Sequence, residues 1–295
     1  MRPAHLVLPA VLLVAGLAAP VSAQIQASEP GSVAQVVDGT KFSIEYYRPR
    51  LRGRDSIFET QILAEKVWTP GANWATTFEL SKKIQLNGTD VPAGKYSTWF
   101  IFHDRTWTLL LDPRARRFHM NRPDSVAGQI KIEVTPEAGP FTDVLAWTFP
   151  EIRVNGGKLR MNFATRQVTL DYRVEPSFEY SMPQQAARPY VGQYEFSWAS
   201  EPGDTTPPKV YKLDLQYRNG SLKGTFDPSP DPTMQEVLFF SIRPHWFRMA
   251  TLEKGEVFDV WTDAVFEFAL QGNRATGFEI RGDGDEVWGR AKRVR

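Results

Sequence analysis

Cysteine is missing from all 295 residues. Without a thiol there is no disulfide, no thiolate zinc site, no iron–sulfur cluster and no cysteine nucleophile. Histidine is scarce: His5, His103, His119 and His245, with no two at ligand spacing, so no metal site is expected. Charge of one sign is missing too, since 35 Lys and Arg face 34 Asp and Glu. That balance excludes a polycationic nucleic-acid coat and an acidic tail, and no nucleic-acid partner is expected. The familiar catalytic strings are absent: no Gly-x-Ser-x-Gly elbow, no Ser-x-x-Lys on a plausible helix, no phosphate-cradling Gly-rich loop ending in Gly-Lys, no His-Glu-x-x-His. No cofactor is implied. Helical periodicity is scarce as well, residues 55–66 being the one stretch that suits a short helix.

What is present is a globular balance, 42% hydrophobic and 23% charged, long enough for one large domain or two ordinary ones. The chain opens like a secretory signal. Arg2 is followed by an apolar run over 6–19 broken by Pro9 and Gly16, then by Val21-Ser22-Ala23 at the cleavage position. The run is about 14 residues, short of the roughly 20 a spanning helix needs, so cleavage before Gln24 is favoured over a membrane anchor. No later stretch reads as a transmembrane segment. The mature chain is therefore expected to be soluble, periplasmic or extracellular, and held together by its cores alone.

Aromatic residues make up 13% and sit in short runs between turn residues. Residues 83–86 run into Asn87-Gly88, and residues 96–102 and 106–111 form a hairpin pattern. Residues 130–134 and 168–172 alternate as half-buried strands do. Beyond the Pro-interrupted stretch 175–188, nine short strand patterns follow, with turns at Arg218-Asn219-Gly220 and Gln271-Gly272-Asn273. The expectation is an all-β chain: a mature tail over 24–32, an antiparallel β-sandwich over 33–174, a linker over 175–188, and a small meandering lipocalin-like β-barrel over 189–295. The charge split of the mature chain, 20 basic against 18 acidic from Gln24 to Ala186 and 14 against 16 after it, polarises neither half.

A set of motifs lies in order along the first half: Tyr47-Arg48-Pro49, Arg52-Gly53-Arg54, Ile57-Phe58, Lys66-Val67-Trp68, Gly71-Ala72-Asn73, Ala75-Thr76-Thr77 and Pro92-Ala93-Gly94-Lys95-Tyr96-Ser97. On these, residues 33–174 resemble the bacterial family known as domain of unknown function 2911. The resemblance implies an exported β-rich domain with no established activity. Relatives often place Arg and Thr before Gly-Ala-Asn and Glu after it; here Thr69-Pro70 and Trp74 stand instead, so the Arg–Glu charge pair is missing. More loosely, Tyr190-Val191-Gly192-Gln193-Tyr194 is similar to the opening strand of the small β-barrel behind bacterial serine hydrolase and penicillin-binding-type domains. That likeness implies an accessory or ligand-holding barrel.

The sharpest local pattern is Arg48, Arg50, Arg52 and Arg54. On an extended strand these share one face with Tyr46, about 6.6 Å apart, and would grip a carboxylate or phosphate. Alternatively Pro49 and Gly53 bend the segment and scatter the guanidiniums. A second cluster, Arg114, Arg116, Arg117 and Arg122, reads as a solvated loop. Lys66, Trp68, Asn73, Thr76 and Tyr96 complete the candidate ligand-binding set with Tyr46, Arg48, Arg52 and Arg54: a Gly-Ala-Asn turn offers N–H groups and an amide, while Trp68 and Trp74 offer flat faces. The same residues would serve equally to lock a loop. In the barrel, Phe266, Phe268 and Leu270 share a core face, Trp246 and Trp261 are core or pocket, and Arg281-Gly282-Asp283-Gly284-Asp285-Glu286 suits a turn better than a calcium site. Three functions follow: a non-catalytic exported protein binding a small molecule, glycan or envelope component; a hydrolase using carboxylates among Glu45, Asp55, Glu59 and Glu65; or an assembly module of the cell envelope.

Overall fold

The computed structural model describes residues 27–54, 57–60, 62, 66–103, 105–201, 203–282 and 286–294. The leader-like residues 1–23, Asp55, Glu65, Asp104, Asp283 and Asp285, and the side chain of Glu59, lie outside that description. In chain order the first half holds β1 (Glu29–Val37), β2 (Thr40–Arg48), α1 (Ile57–Thr60), β3 (Val67–Trp68), β4 (Thr77–Leu80), β5 (Ile84–Leu86) and β6 (Thr89–Val91). It continues with β7 (Gly94–Phe102), β8 (Trp107–Asp112), β9 (Ile130–Val134), β10 (Pro136–Arg153) and β11 (Gly156–Val174). The short helix expected over 55–66 is a single turn.

These strands make two antiparallel sheets. One runs β1-β2-β4-β7-β8-β9 with β3 also on β7, and the other runs β10-β11-β5-β6. Strict alternation drives the arrangement. Along β2, Phe42, Ile44 and Tyr46 are buried while Lys41 and Glu45 are exposed, so one face is apolar. That face meets Leu145, Trp147, Leu159, Met161, Phe163, Leu170 and Tyr172 of the second sheet in one continuous core. Aromatic rings bridge the sheets edge to face: Phe42 to Tyr172 at 5.8 Å and Phe78 to Trp147 at 5.2 Å. The turn Asn87-Gly88 has the positive φ values (47° and 78°) that a two-residue hairpin needs. The sandwich opens at Glu29, four residues before its expected start at 33 and inside the expected tail.

The second half holds α2 (Gln184–Ala187), β12 (Gly192–Trp198), β13 (Val210–Arg218), β14 (Ser221–Asp227), β15 (Glu236–Arg243) and β16 (Trp246–Glu253). It ends with β17 (Glu256–Val260), β18 (Val265–Gln271), β19 (Arg274–Arg281) and β20 (Val287–Arg293). Pairing of β15 with both β14 and β16 closes eight strands into a barrel, with β17 attached outside on β16. An eight-stranded barrel is about wide enough for its own side chains or for one small ligand. Here Tyr194, Phe196, Phe239, Phe247, Phe266, Phe268 and Phe278 fill the interior, so the core face expected at Phe266 and Phe268 is inward. At one end the Arg293 guanidinium donates to the carbonyls of Pro189 (3.1 Å), Ala275 (3.3 Å) and Val191. Trp261 stacks on Trp198 against this core, and Trp246 lies half-buried under the Arg243 guanidinium at 3.5 Å.

Between the domains, residues 175–183 form no strand or helix, yet they are tied at both ends. Ser177 donates from its N–H and hydroxyl to Asp38 (2.6 and 3.0 Å), while Phe178 and Tyr180 pack on Phe240 of the barrel's outer face at 5.0 and 5.1 Å. Tyr217 donates to the Met182 carbonyl at 3.0 Å.

One polar junction lies inside the sandwich half, at the end of β8. The Asp112 carboxylate is fully buried and accepts from Arg114 Nη2 (2.7 Å), Arg114 Nε (2.9 Å) and Gln129 (2.7 Å). Arg114 continues to Asp124 at 3.0 Å, so the loop after β8 is pinned at its root. Burial pushes the Asp112 carboxyl up, but the Arg114 and Gln129 hydrogen bonds outweigh it and hold its pKa at about 2.

Because that pKa lies below the ordinary 3.8, the fold favours ionised Asp112. Its contribution is complete above the ordinary value and fades as pH falls toward about 2. Asp112→Asn is expected to cost about 2 kcal/mol at neutral pH, and the gap from the parent should narrow between about pH 4 and pH 2. Urea unfolding across that range checks it; a gap independent of pH refutes the assignment. In the barrel, a Cβ on Gly277 would lie 2.2 Å from the Ala291 carbonyl oxygen. Gly277→Ala should therefore destabilise by about 2 kcal/mol or more, read as a lowered urea midpoint.

Candidate functional site

The arginine row does not form a comb. β2 ends at Arg48, and the chain then crosses from the first sheet to the edge of the second. Leu51 N–H donates to the Asp143 carbonyl (2.9 Å), Leu145 N–H donates to that of Pro49 (3.0 Å), and Arg50 bridges to Val144. Leu51 is buried and Arg52 adopts a left-handed φ of 53°, which turns the segment and separates the side chains. The guanidiniums bond to backbone: Arg48 to Leu145 O (3.4 Å), Arg52 to Ala27 O (3.2 Å), Arg54 to Leu51 O and Arg50 O (2.6 and 2.8 Å). Tyr46 points inward, its hydroxyl accepting from Trp147 N–H at 3.2 Å. The bend at Pro49 and Gly53, and not the extended face, describes this segment.

The Trp68–Thr76 stretch is likewise mostly internal. Trp68 is half-buried against the core, stacked on Phe163 with planes 6° apart, so most of its ring is engaged in packing. Thr76 is buried: its N–H donates to Thr69 Oγ1 (2.9 Å) and its hydroxyl to the Pro70 carbonyl (2.7 Å). Thr69 Oγ1 in turn donates to Thr98 O at 2.9 Å. Tyr96 is buried with its hydroxyl on the Pro92 carbonyl at 3.0 Å, and burial raises its pKa. Asn73 has a left-handed φ of 57°, and its carbonyl accepts from both the N–H and Nδ1 of His119 at 2.8 Å. Lys66 is exposed.

A space that can take a ligand lies on the other side of the first sheet; a cavity of about 860 Å³ beside Gln184, Arg188 and Tyr217 lies on the barrel. A groove of about 690 Å³ has Ser32, Glu45, Thr77 and Lys95 as its floor, with Tyr47, Trp74 and Arg116 among its walls. Of the candidates named from sequence, Tyr46 lines it, and the Arg48 stem lies against Gly31 in its rim, where an added Cβ would fall 2.8 Å from Arg48 Cδ. The floor follows from register: Ser32 faces Glu45, Glu45 faces Thr77, and Glu79 faces Lys95. Lys95 reaches Glu45 at 3.1 Å and Glu79 at 3.3 Å, and the hydrogen bond to Glu45 raises its pKa. The Arg116 guanidinium stacks on Trp74 at 4.6 Å, and Phe118 meets the same ring edge to face at 5.8 Å.

The sequence offers Glu45 only as a candidate hydrolase carboxylate, and Thr77 and Lys95 only as members of the family motifs; their meeting needs cross-strand register, which no single segment encodes. Arg116 read as a solvated loop residue, yet it is half of the wall. Among the described residues no group of three or more His, Asp or Glu is gathered to hold a metal ion.

The family described as "Protein of unknown function (DUF2911)" matches residues 28–172. Among solved structures, the crystal structure of a protein of unknown function from the DUF3598 family of Nostoc punctiforme aligns at 12% identity over 76% of this chain and 96% of that one. Its TM-score of 0.19 is too low to bear on fold or function. No curated protein matches. The N-terminal sandwich thus carries, over residues 28–172, the resemblance to the DUF2911 family that its motifs marked.

Proposed function

We propose that this is an exported, non-catalytic two-domain β protein that holds a small polar molecule or envelope glycan in the groove over the first sheet. The observation that carries the reading is the groove's composition: a carboxylate and an ammonium on the floor, between aromatic walls at Tyr47 and Trp74. Its volume, about 690 Å³, falls in the range of small-molecule sites. Sugar hydroxyls both donate and accept, so the Glu45 oxygens and the Lys95 ammonium match them from one surface. Aromatic faces add apolar contact to the C–H side of a ring without taking up its polar groups. The barrel serves as an accessory domain, since its interior is filled. Export rests on the leader-like residues 1–23; no helix among the described residues is long and apolar enough to cross a membrane.

No observation favours the hydrolase alternative. Asp55, Glu65 and the Glu59 side chain lie outside the described residues, and Glu45 is engaged with Lys95.

The test is calorimetric titration of the chain beginning at Gln24 with neutral and acidic oligosaccharides and peptidoglycan fragments. Glu45→Gln and Trp74→Ala are each expected to weaken binding about tenfold, equivalent to about 1.4 kcal/mol. Binding unaffected by both variants, or no binding by the parent, sinks the groove as the site.

A further inference from the structure

The loop after β8 carries a second feature that borders the groove at Trp74 and Arg116 and extends beyond it. Residues 73–75 and 117–119 form a miniature antiparallel ribbon: Ala75 N–H donates to Arg117 O and His119 N–H to Asn73 O, both at 2.8 Å, and Trp74 bridges to Phe118. Its side chains alternate. Ala115, Arg117 and His119 are half-buried, while Arg116, Phe118 and Met120 point outward. Trp74, Phe118 and Met120 stand 38%, 39% and 69% exposed, which puts three large apolar groups on one knuckle.

Along the knuckle's own loop the charge has a single sign. From Pro113 to Pro123 the sequence has four Arg and no Asp or Glu. Arg114 is committed to Asp112 and Asp124, and Arg117 donates to the carbonyls of Asn121 (3.0 Å) and Arg122 (3.3 Å). Arg116 and Arg122 are exposed and make no ion pair among the described residues. The ribbon is held from below by its backbone bonds, by His119 Nδ1 on Asn73 O and by the Asp112–Arg114 junction. It is thus presented ready-made, with little ordering entropy left to lose on docking.

We propose that this ribbon docks the protein onto an anionic lipid surface. Such a surface offers what the knuckle lacks on both counts. The boundary between headgroups and acyl chains takes Phe118 and Met120 out of water, and lipid phosphates pair with Arg116 and Arg122 by charge-assisted hydrogen bonds. Trp74, amphipathic and partly exposed, sits at headgroup level. Three apolar side chains and a few guanidiniums make a reversible contact that salt weakens, not an anchor. The proposal shares Trp74 and Arg116 with the groove but stands as well on Phe118, Met120 and Arg122, which do not line it.

The experiment is co-sedimentation of the protein lacking residues 1–23, whose apolar run would itself partition into lipid. The vesicles are phosphatidylcholine alone, or an equimolar mixture of phosphatidylcholine and phosphatidylglycerol. The parent is expected to bind the mixed vesicles at least about tenfold more tightly than the neutral ones, with binding lost in about 1 M salt. The double variant Phe118→Ser/Met120→Ser should weaken binding about tenfold, and Arg116→Glu/Arg122→Glu should abolish it. Equal thermal midpoints for all three proteins show that each is folded; as a second, milder pair, Met120→Ser alone and Arg122→Ala alone should each weaken binding in part. Failure of the parent to bind, equal binding to both vesicles, or full binding by the Phe118/Met120 variant overturns the proposal. The last result would point instead to an acidic polymer gripped by charge alone.

Discussion

The outer layer of the first domain exists because β7 is buried on both faces. Tyr96, Thr98 and Phe100 look into the sandwich, while Ser97 and Trp99 look outward. Trp99 is fully buried there, its indole N–H donating to Ser97 Oγ at 3.0 Å, and it packs with Ala75 and Leu110 in a small second core. A fully buried Trp represents some kcal/mol of apolar burial that an ordinary solvent-facing strand would forgo. Something must therefore cover it. The cover is provided by the 69–76 loop from one side and the loop after β8 from the other, joined by the backbone bonds between 73–75 and 117–119. The groove and the exposed knuckle are both consequences of how that cover is built.

The cover is rigid for reasons that are chemical and local. Thr69 and Thr76 bind each other and the carbonyls of Pro70 and Thr98, so the polar backbone of a buried turn is answered by hydroxyls instead of water. On the other side, Asp112 is held ionised in a buried place by Arg114 and Gln129, which only a well-formed junction could sustain. Rigid supports of this kind let a short irregular loop place Trp74 and Arg116 as definitely as a strand would.

Most of the architecture is legible in the sequence, and the reason is periodicity. The alternation of Ile130-Lys131-Ile132-Glu133-Val134 coincides with β9, and the nine strand patterns after residue 189 correspond to the nine strands β12 to β20. The long β10 was not legible, because Pro140 and Pro150 interrupt it; it is the edge strand of its sheet, where a missing N–H costs no ladder bond. The candidate site was legible only in part. Motif residues such as Trp68, Thr76 and Tyr96 stand out in the sequence because the fold needs them inside, which is a signal of packing and not of binding. Arg48, Arg52 and Arg54 stand out for a similar reason, as they satisfy carbonyls where the chain changes sheets. Groove residues such as Glu45 and Lys95 are ordinary solvent-face strand residues, and only register brings them together.

The sandwich and the barrel follow the same physical line in how they use their interiors. A barrel whose axis is filled with Phe and Tyr rings, and whose end is closed by Arg293, gains stability but gives up its interior as a binding space. The sandwich fills its interior as well, so for both domains the chemistry moves to outer surfaces. What differs is the charge left there. On the groove floor the Lys95 ammonium is already paired with Glu45, and with Glu79 beside the groove, so it is not left seeking an anion. One loop away, Arg116 and Arg122 have no such balance. A floor whose cation is already paired favours recognition by polar groups, whereas unpaired guanidiniums favour an anionic partner whose binding weakens with salt. Trp74 lies at the boundary between the two, lining the groove and stacked with Arg116, so an occupant of either surface would meet the same indole.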